Sequence, residues 1–108
     1  MPELPEVEAV VRRLRPQVTG QRVVGCGQWR ATTAHGVELA VGRRIVEVDR
    51  RGKHILVKLD GGDFLRVHLK MTGNLTVIPD VRMRPSTVRA WFEFDDGRAM
   101  VLDDPRAL

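Results

Sequence analysis

The hydrophobic positions change their period after the first 20 residues, from a helical repeat to an extended one. In the first segment the apolar residues recur at i, i+3, i+4 and i+7, which places them on one face of an α-helix over residues 4–15. These residues are Val7, Val10, Val11 and Leu14. Glutamates near the start and arginines near the end suit the helix dipole, and Pro16 and Gly20 are predicted to end the helix.

The rest of the chain is predicted to be mainly β-strand. Seven segments either alternate apolar and polar residues or consist of consecutive β-branched and aliphatic residues. These segments are 21–26, 43–49, 54–59, 63–69, 74–78, 88–94 and 98–103. Residues 60–62 and 95–97 are predicted hairpin turns, 34–41 is compatible with a short helix, and 79–87 is predicted to be an exposed loop. The expected fold is a β-sandwich of two layers or a flattened barrel, with one N-terminal helix.

Length and composition limit the class of protein. A chain of 108 residues, 43% of them hydrophobic, is expected to form one domain over 1–108 with a modest core. No apolar run approaches the roughly 20 residues of a membrane span, so a soluble, intracellular protein is expected. Cys26 is the single cysteine, which excludes an internal disulfide and a Cys-rich zinc module. His35 and His54 have no partner at a metal-ligand spacing, and we assign no metal or other cofactor.

The positive charge is carried mainly by arginine. Only three of the 18 cationic residues are lysines, and the net charge is +4. Arginine suits bidentate phosphate contacts, so this composition favours a nucleic-acid partner. Candidate phosphate contacts are Arg30, Arg82, Arg84 and Arg89, although an ordinary solvated surface explains each of them equally well.

The first residues carry candidate chemistry. Removal of Met1 would leave Pro2 as a secondary amine, and an α-amino group that titrates near pH 8 is partly unprotonated at neutral pH. Such an amine can attack C1′ of a deoxyribose and form an imine. Glu3 and Glu6 lie one helical turn apart and could act as acid, base or positioning groups. From these residues alone, an ordinary helix start is the commoner meaning of Met-Pro-Glu.

The run Met-Pro-Glu-Leu-Pro-Glu-Val-Glu at 1–8 resembles the start of the formamidopyrimidine-DNA glycosylase and endonuclease VIII family. Residues 50–56 resemble that family's hairpin with a catalytic lysine, 68–75 its HLGMTGSL segment, and 103–106 the start of its DPRRFG loop. The resemblance covers the chain but only the family's first domain. We therefore expect the helix-two-turn-helix part and the zinc finger to be absent.

The resemblance implies a role for each matching catalytic residue. Pro2 would form a Schiff base with the sugar of the damaged nucleotide, Glu3 would supply acid and base catalysis there, and Glu6 would help to hold the amine. Lys53 would contact the phosphate or the lesion and take part in glycosidic cleavage. Met71 would be the wedge that fills the gap left by an everted base.

The resemblance also implies a partner, damaged double-stranded DNA, in the cytoplasm of a bacterium and associated with its nucleoid. The residues expected to contact DNA beside the wedge are Lys70, Arg84, Arg89 and Arg106. A second domain or another chain would supply the missing half of the DNA clamp. No membrane partner is expected.

The chain departs from the family pattern at its end and in the loop around Met71, which we call the wedge loop. Ala107 and Leu108 stand where the family has Arg and Phe, Lys70 replaces a glycine, and Thr87 lies near the place of a phosphate-binding histidine. These differences predict a divergent member and a fragment or truncated protein. Two functions are compatible with them: a glycosylase with AP-lyase activity, and a DNA-binding or interaction module that has the fold without turnover.

Overall fold

The computed structural model describes residues 4–29, 36–70 and 72–106. Within these ranges one helix, α1 (Leu4–Val18), precedes seven strands. The strands are β1 (Val23–Gln28), β2 (Ile45–Arg51), β3 (His54–Leu59), β4 (Phe64–His68), β5 (Asn74–Ile78), β6 (Val88–Phe94) and β7 (Ala99–Asp103). Short 3-10 turns lie at Val37–Ala40, Asp60–Gly62 and Val81–Met83.

The strands form two antiparallel sheets, one in the order β1-β6-β7-β5 and the other in the order β2-β3-β4. The sheets meet at one corner, where Arg22 bridges to Arg44 and the amide of Val23 donates to the carbonyl of Arg43 at 2.9 Å. The sheets do not close into a barrel, so the sandwich is the correct choice of the two expected arrangements. Because residues at this corner pair between the sheets, β1 and β2 each begin two residues later than predicted.

One face of α1 is buried against the sheets. The predicted stripe is confirmed: Val7, Val10, Val11 and Leu14 are all buried. The predicted end at Pro16 is wrong, because the helix continues to Val18, whose side chain is fully buried. A proline in the last turn removes one helical hydrogen bond, and burial of an apolar side chain offsets that loss. Gly20, with φ 88°, follows the end of the helix, as predicted.

The connection between β4 and β5 is a tight loop that requires a glycine. The amide of Gly73 donates to the carbonyl of Leu69 at 2.8 Å, and Lys70 between them has a φ of 59°. A Cβ atom at residue 73 would overlap the Leu69 carbonyl oxygen. The loop can therefore close in this form only when residue 73 has no side chain.

We expect Gly73→Ala to lower the free energy of unfolding by about 1–3 kcal/mol, the usual cost of overpacking a closed site. Gly25→Ala is the matched control, because a Cβ at residue 25 would lie 3.5 Å from its nearest neighbour, the Glu93 carboxylate. The control should change stability by no more than about 0.5 kcal/mol. Urea denaturation of both variants measures the difference, and equal stabilities would contradict this account of the loop.

Candidate nucleic-acid interface

The start of α1 and the β2–β3 hairpin lie at the same end of the sandwich. Glu8 of the helix forms an ion pair with Arg50 at 3.5 Å, and Arg15, two turns later, donates to the carbonyl of Val48 at 3.0 Å. The helix and β2 therefore run in opposite directions. The first turn of α1 points toward the hairpin tip at 51–53, so the two segments that carry the predicted catalytic residues converge.

A histidine pair joins the hairpin to the end of β4. His54 and His68 are cross-strand partners whose ring centroids are 5.0 Å apart in an edge-to-face arrangement. Burial lowers the pKa of His68, and the charges of His54, Lys70 and Lys53 lower it further. His68 is thus neutral at pH 7, and its Nδ1 accepts the amide hydrogen of Lys70 at 3.0 Å. The remaining ring proton is on Nε2, which is a hydrogen-bond donor.

Asp104 connects the β4–β5 loop to the turn that follows β7. Its carboxylate oxygen Oδ1 accepts a hydrogen bond from the hydroxyl of Thr72 and another, at 3.1 Å, from the amide of Arg106. Its main-chain carbonyl accepts a hydrogen bond from Nε of Arg89 at 2.9 Å. The side chain is 5% exposed, which makes Asp104 the one buried charged residue in the described part of the chain.

The structure brings five of the predicted site residues to this end, Arg89 among them. Glu6 is exposed in the first turn of α1, and Lys53 is half-buried beside the hairpin tip. Lys70 and Arg106 are both exposed, in the loop before Thr72 and in the turn after Asp104. Three more of the predicted site residues, Pro2, Glu3 and Met71, lie outside the described residues, as does the candidate contact Arg30.

Two predicted DNA contacts lie over tryptophan rings. The guanidinium of Arg89 is 4.3 Å from the ring centre of Trp29, and that of Arg84 is 3.9 Å from the ring centre of Trp91. Arg89 reaches Asp104 and thereby belongs to the site. Arg84 lies over the outer face of the four-stranded sheet, and the described contacts do not join it to the histidines or to Asp104.

Three further features concern side chains around this sheet. Trp91 packs on Gly27 on one face of the sheet, whereas Trp29 is 47% exposed and is not a core residue. Arg82 forms an ion pair with Asp80 at 2.6 Å, and its hydrogen bonds lower the pKa of that carboxyl to about 2. Cys26 is only partly buried, and burial raises the pKa of its thiol.

Among the described residues no three His, Cys, Asp or Glu side chains are grouped in a way that could hold a metal ion. In the same part of the chain, no helix has the length and apolar character required to cross a membrane.

Sequence reasoning missed two features of the site. It did not connect His54 with His68, but the two rings contact each other beside Lys53. It also gave no role to Thr72 or Asp104. The register of two adjacent strands could have revealed the histidine pair, whereas no signal within the sequence joins Thr72 to a residue 32 positions later.

Comparisons with known proteins agree on one family. The model for the formamidopyrimidine-DNA glycosylase N-terminal domain matches residues 1–108. The formamidopyrimidine-DNA glycosylase of Thermus thermophilus is 44% identical over 106 residues, which are 98% of this chain and 38% of the relative. The crystal structure of the MutM (Fpg) protein from that organism superposes with a TM-score of 0.86 at 43% identity, over 99% of this chain and 38% of the solved one.

A second solved structure superposes with a TM-score of 0.90 at 25% identity, over 99% of this chain and 43% of the solved one. It is the Lactococcus lactis formamidopyrimidine-DNA glycosylase, non-covalently bound to DNA that contains an AP site. The chain thus spans about two fifths of the length of the relatives that it matches.

Proposed function

This chain belongs to the formamidopyrimidine-DNA glycosylase family, and from that premise we propose that it is the catalytic N-terminal domain of a base-excision-repair glycosylase with AP-lyase activity. The observation that carries the proposal is the convergence of the α1 start, the hairpin beside Lys53 and the wedge loop at one end of the sandwich. Chemistry on an everted nucleotide needs a nucleophile, a phosphate-binding group and a wedge close together.

In the proposed mechanism the amine of Pro2 attacks C1′ of the damaged nucleotide, and the bond from C1′ to the base breaks. Glu3 supplies the acid and base catalysis that this displacement needs, and Glu6 holds the amine. The bond from C1′ to O4′ then opens, O4′ takes up a proton, and the nitrogen of Pro2 forms an iminium ion with C1′. This iminium ion withdraws electrons from C2′. Loss of the C2′ proton then breaks the bond from C3′ to the phosphate, so that one amine serves both base excision and strand cleavage.

The polar groups around the histidine pair suit a phosphate anion. Lys53 and Lys70 bring positive charge close enough to lower the pKa of His68, and neutral His68 offers Nε2–H as a donor. Charge-assisted hydrogen bonds to phosphate oxygens are among the stronger polar contacts in proteins. These groups would hold the DNA backbone while Met71 fills the gap beside the everted nucleotide.

The proposed partner is damaged double-stranded DNA in the bacterial cytoplasm, in association with the nucleoid. A second domain or chain would complete the DNA clamp, and we propose no metal or other cofactor for this domain. The Lactococcus lactis structure, a complex with DNA that contains an AP site, supports a DNA partner.

The first prediction concerns Pro2. Pro2→Gly keeps a primary amine and should weaken the borohydride-trapped cross-link to abasic-site DNA. A secondary amine condenses to a charged iminium ion, which borohydride reduces, whereas the imine of a primary amine must first be protonated. Retention of Met1 should abolish the cross-link, because the proline nitrogen is then an amide. Mass spectrometry of the intact N-terminus establishes which form is present.

Undiminished trapping with Met1 retained would contradict the assignment of Pro2. DNA binding without trapping, in a protein whose Pro2 is free, would favour the alternative of a binding module without turnover.

The second prediction concerns Lys53. We expect Lys53→Ala to reduce excision of a damaged base by at least about tenfold, and to reduce cleavage of a preformed abasic site much less. The reason is that the resemblance of residues 50–56 to the family's hairpin assigns Lys53 to the lesion rather than to the elimination step. Single-turnover rates on the two substrates measure this ratio.

The matched control for that prediction is Lys58→Ala, at the other end of β3, where the ammonium group pairs with Glu47 at 3.4 Å and with Asp49 at 3.8 Å. It should leave both rates unchanged. Equal losses on both substrates for Lys53→Ala would reassign Lys53 to general phosphate binding.

The third prediction concerns DNA binding by the 108-residue chain alone. It spans 38% of the Thermus relative, so only part of the phosphate contacts of a complete clamp are available to it. We expect a Kd of roughly 10⁻⁴ to 10⁻⁶ M at physiological salt, with a steep salt dependence and little preference for a lesion. Titration of duplexes with and without an abasic site at two salt concentrations measures this. Nanomolar, lesion-selective binding would contradict it.

A further inference from the structure

We infer that Asp104 is a positioning residue that joins the β4–β5 loop, at Thr72, to the turn at Arg106, so that the two segments to which the proposed function assigns DNA contacts act as one unit. The inference rests on the proposed function for the role of Met71. It assigns a task to a residue that does not itself touch the reacting atoms.

Asp104 uses both its side chain and its main chain to hold three segments. Its carboxylate accepts hydrogen bonds from the Thr72 hydroxyl and the Arg106 amide. Its amide donates to the carbonyl of Thr87 at 3.0 Å, and its carbonyl accepts from Arg89, both at the start of β6. Asp104 is thus fixed to the four-stranded sheet, and Thr72 and the Arg106 amide are fixed to the same sheet through its carboxylate.

Thr72 transmits this restraint to the wedge because it is the next residue after Met71. The loop around it is short and closed, since the Gly73 amide donates to Leu69, whose side chain is buried. Loss of the Thr72–Asp104 hydrogen bond should therefore release the loop at Thr72 from the turn at Arg106.

The restraint has an energetic advantage. A loop that contacts DNA must be ordered on binding, and the hydrogen bonds that Thr72 and Gly73 make in the free protein reduce that entropy cost. The burial of Asp104 strengthens the restraint, because its hydrogen bonds do not compete with solvent as exposed ones do.

The test compares Thr72→Val, which removes the hydroxyl, with Thr72→Ser, which keeps it, in the full-length protein. The DNA is a duplex in which 2-aminopurine lies next to a stable abasic-site analogue. The readout is the rate at which the fluorescence of the 2-aminopurine rises, because the rise reports unstacking of this base by the wedge. We expect Thr72→Val to slow the rise by at least about tenfold and Thr72→Ser to restore it. Thr76→Val is the matched control, the same change in β5, and should have no effect.

A double-mutant cycle decides whether the effect passes through the wedge. In a Met71→Ala background, Thr72→Val should cause no further loss, because the side chain that it positions is already absent. Additive losses would overturn the inference. Asp104→Asn, which keeps an oxygen at Oδ1, should behave like Thr72→Ser, and Asp104→Leu should behave like Thr72→Val. Equal unstacking rates for Asp104→Asn and Asp104→Leu would also overturn the inference.

Hydrogen exchange separates this inference from the proposed function, because it needs no DNA. The amides of Gly73 and Arg106 should exchange faster by at least about fivefold in Thr72→Val than in Thr72→Ser, at equal unfolding midpoints. Equal exchange would overturn the inference whatever the activity. If Met71→Ala alone leaves unstacking unchanged, the result contradicts the wedge assigned under the proposed function, while faster exchange would still confirm the connection through Asp104.

Discussion

Burial of one side of α1 against the two sheets is the interaction on which the rest of the structure depends. The apolar stripe of the helix joins the inner residues of both sheets in a single core, and full burial of a Val or Leu side chain contributes about 1.5–3 kcal/mol. The same packing sets the direction of the helix relative to β2, through Glu8 and Arg15. Because the helix runs opposite to that strand, its first turn lies toward the hairpin tip at 51–53. The core therefore determines which end of the sandwich the start of the helix occupies.

Polar contacts at one end of the sandwich complete the site. The histidine pair joins the hairpin to the end of β4, and Asp104 joins the next loop to the turn after β7. Each contact links segments that are far apart in sequence, so the end of the sandwich behaves as one arrangement rather than as separate loops. Catalytic and binding groups are most effective when a rigid scaffold positions them in this way.

Part of the positive charge of the chain is neutralised by carboxylates within the structure. Arg43 pairs with Asp60 and Asp63, and Arg82 pairs with Asp80, so these cations neutralise local carboxylates. Lys70 and Arg106, in contrast, are exposed at the site end and are absent from the salt bridges observed in the described part of the chain. Net charge alone therefore overstates the surface available to a phosphate backbone, and the placement of a few cations matters more.

The sequence alone determined the amphipathic helix and the seven strands, because the periods 3.6 and 2 are local properties that burial of one face requires. It also identified the family, through motifs of consecutive residues. The tertiary structure decided what depends on distant residues: the helix end at Val18, the corner between the sheets, the contact of His54 with His68 and the junction at Asp104. A proline is tolerated when a later side chain is buried, and a carboxylate holds a hydroxyl 32 residues away only after folding brings them together. Such contacts follow from packing in three dimensions, which no local pattern contains.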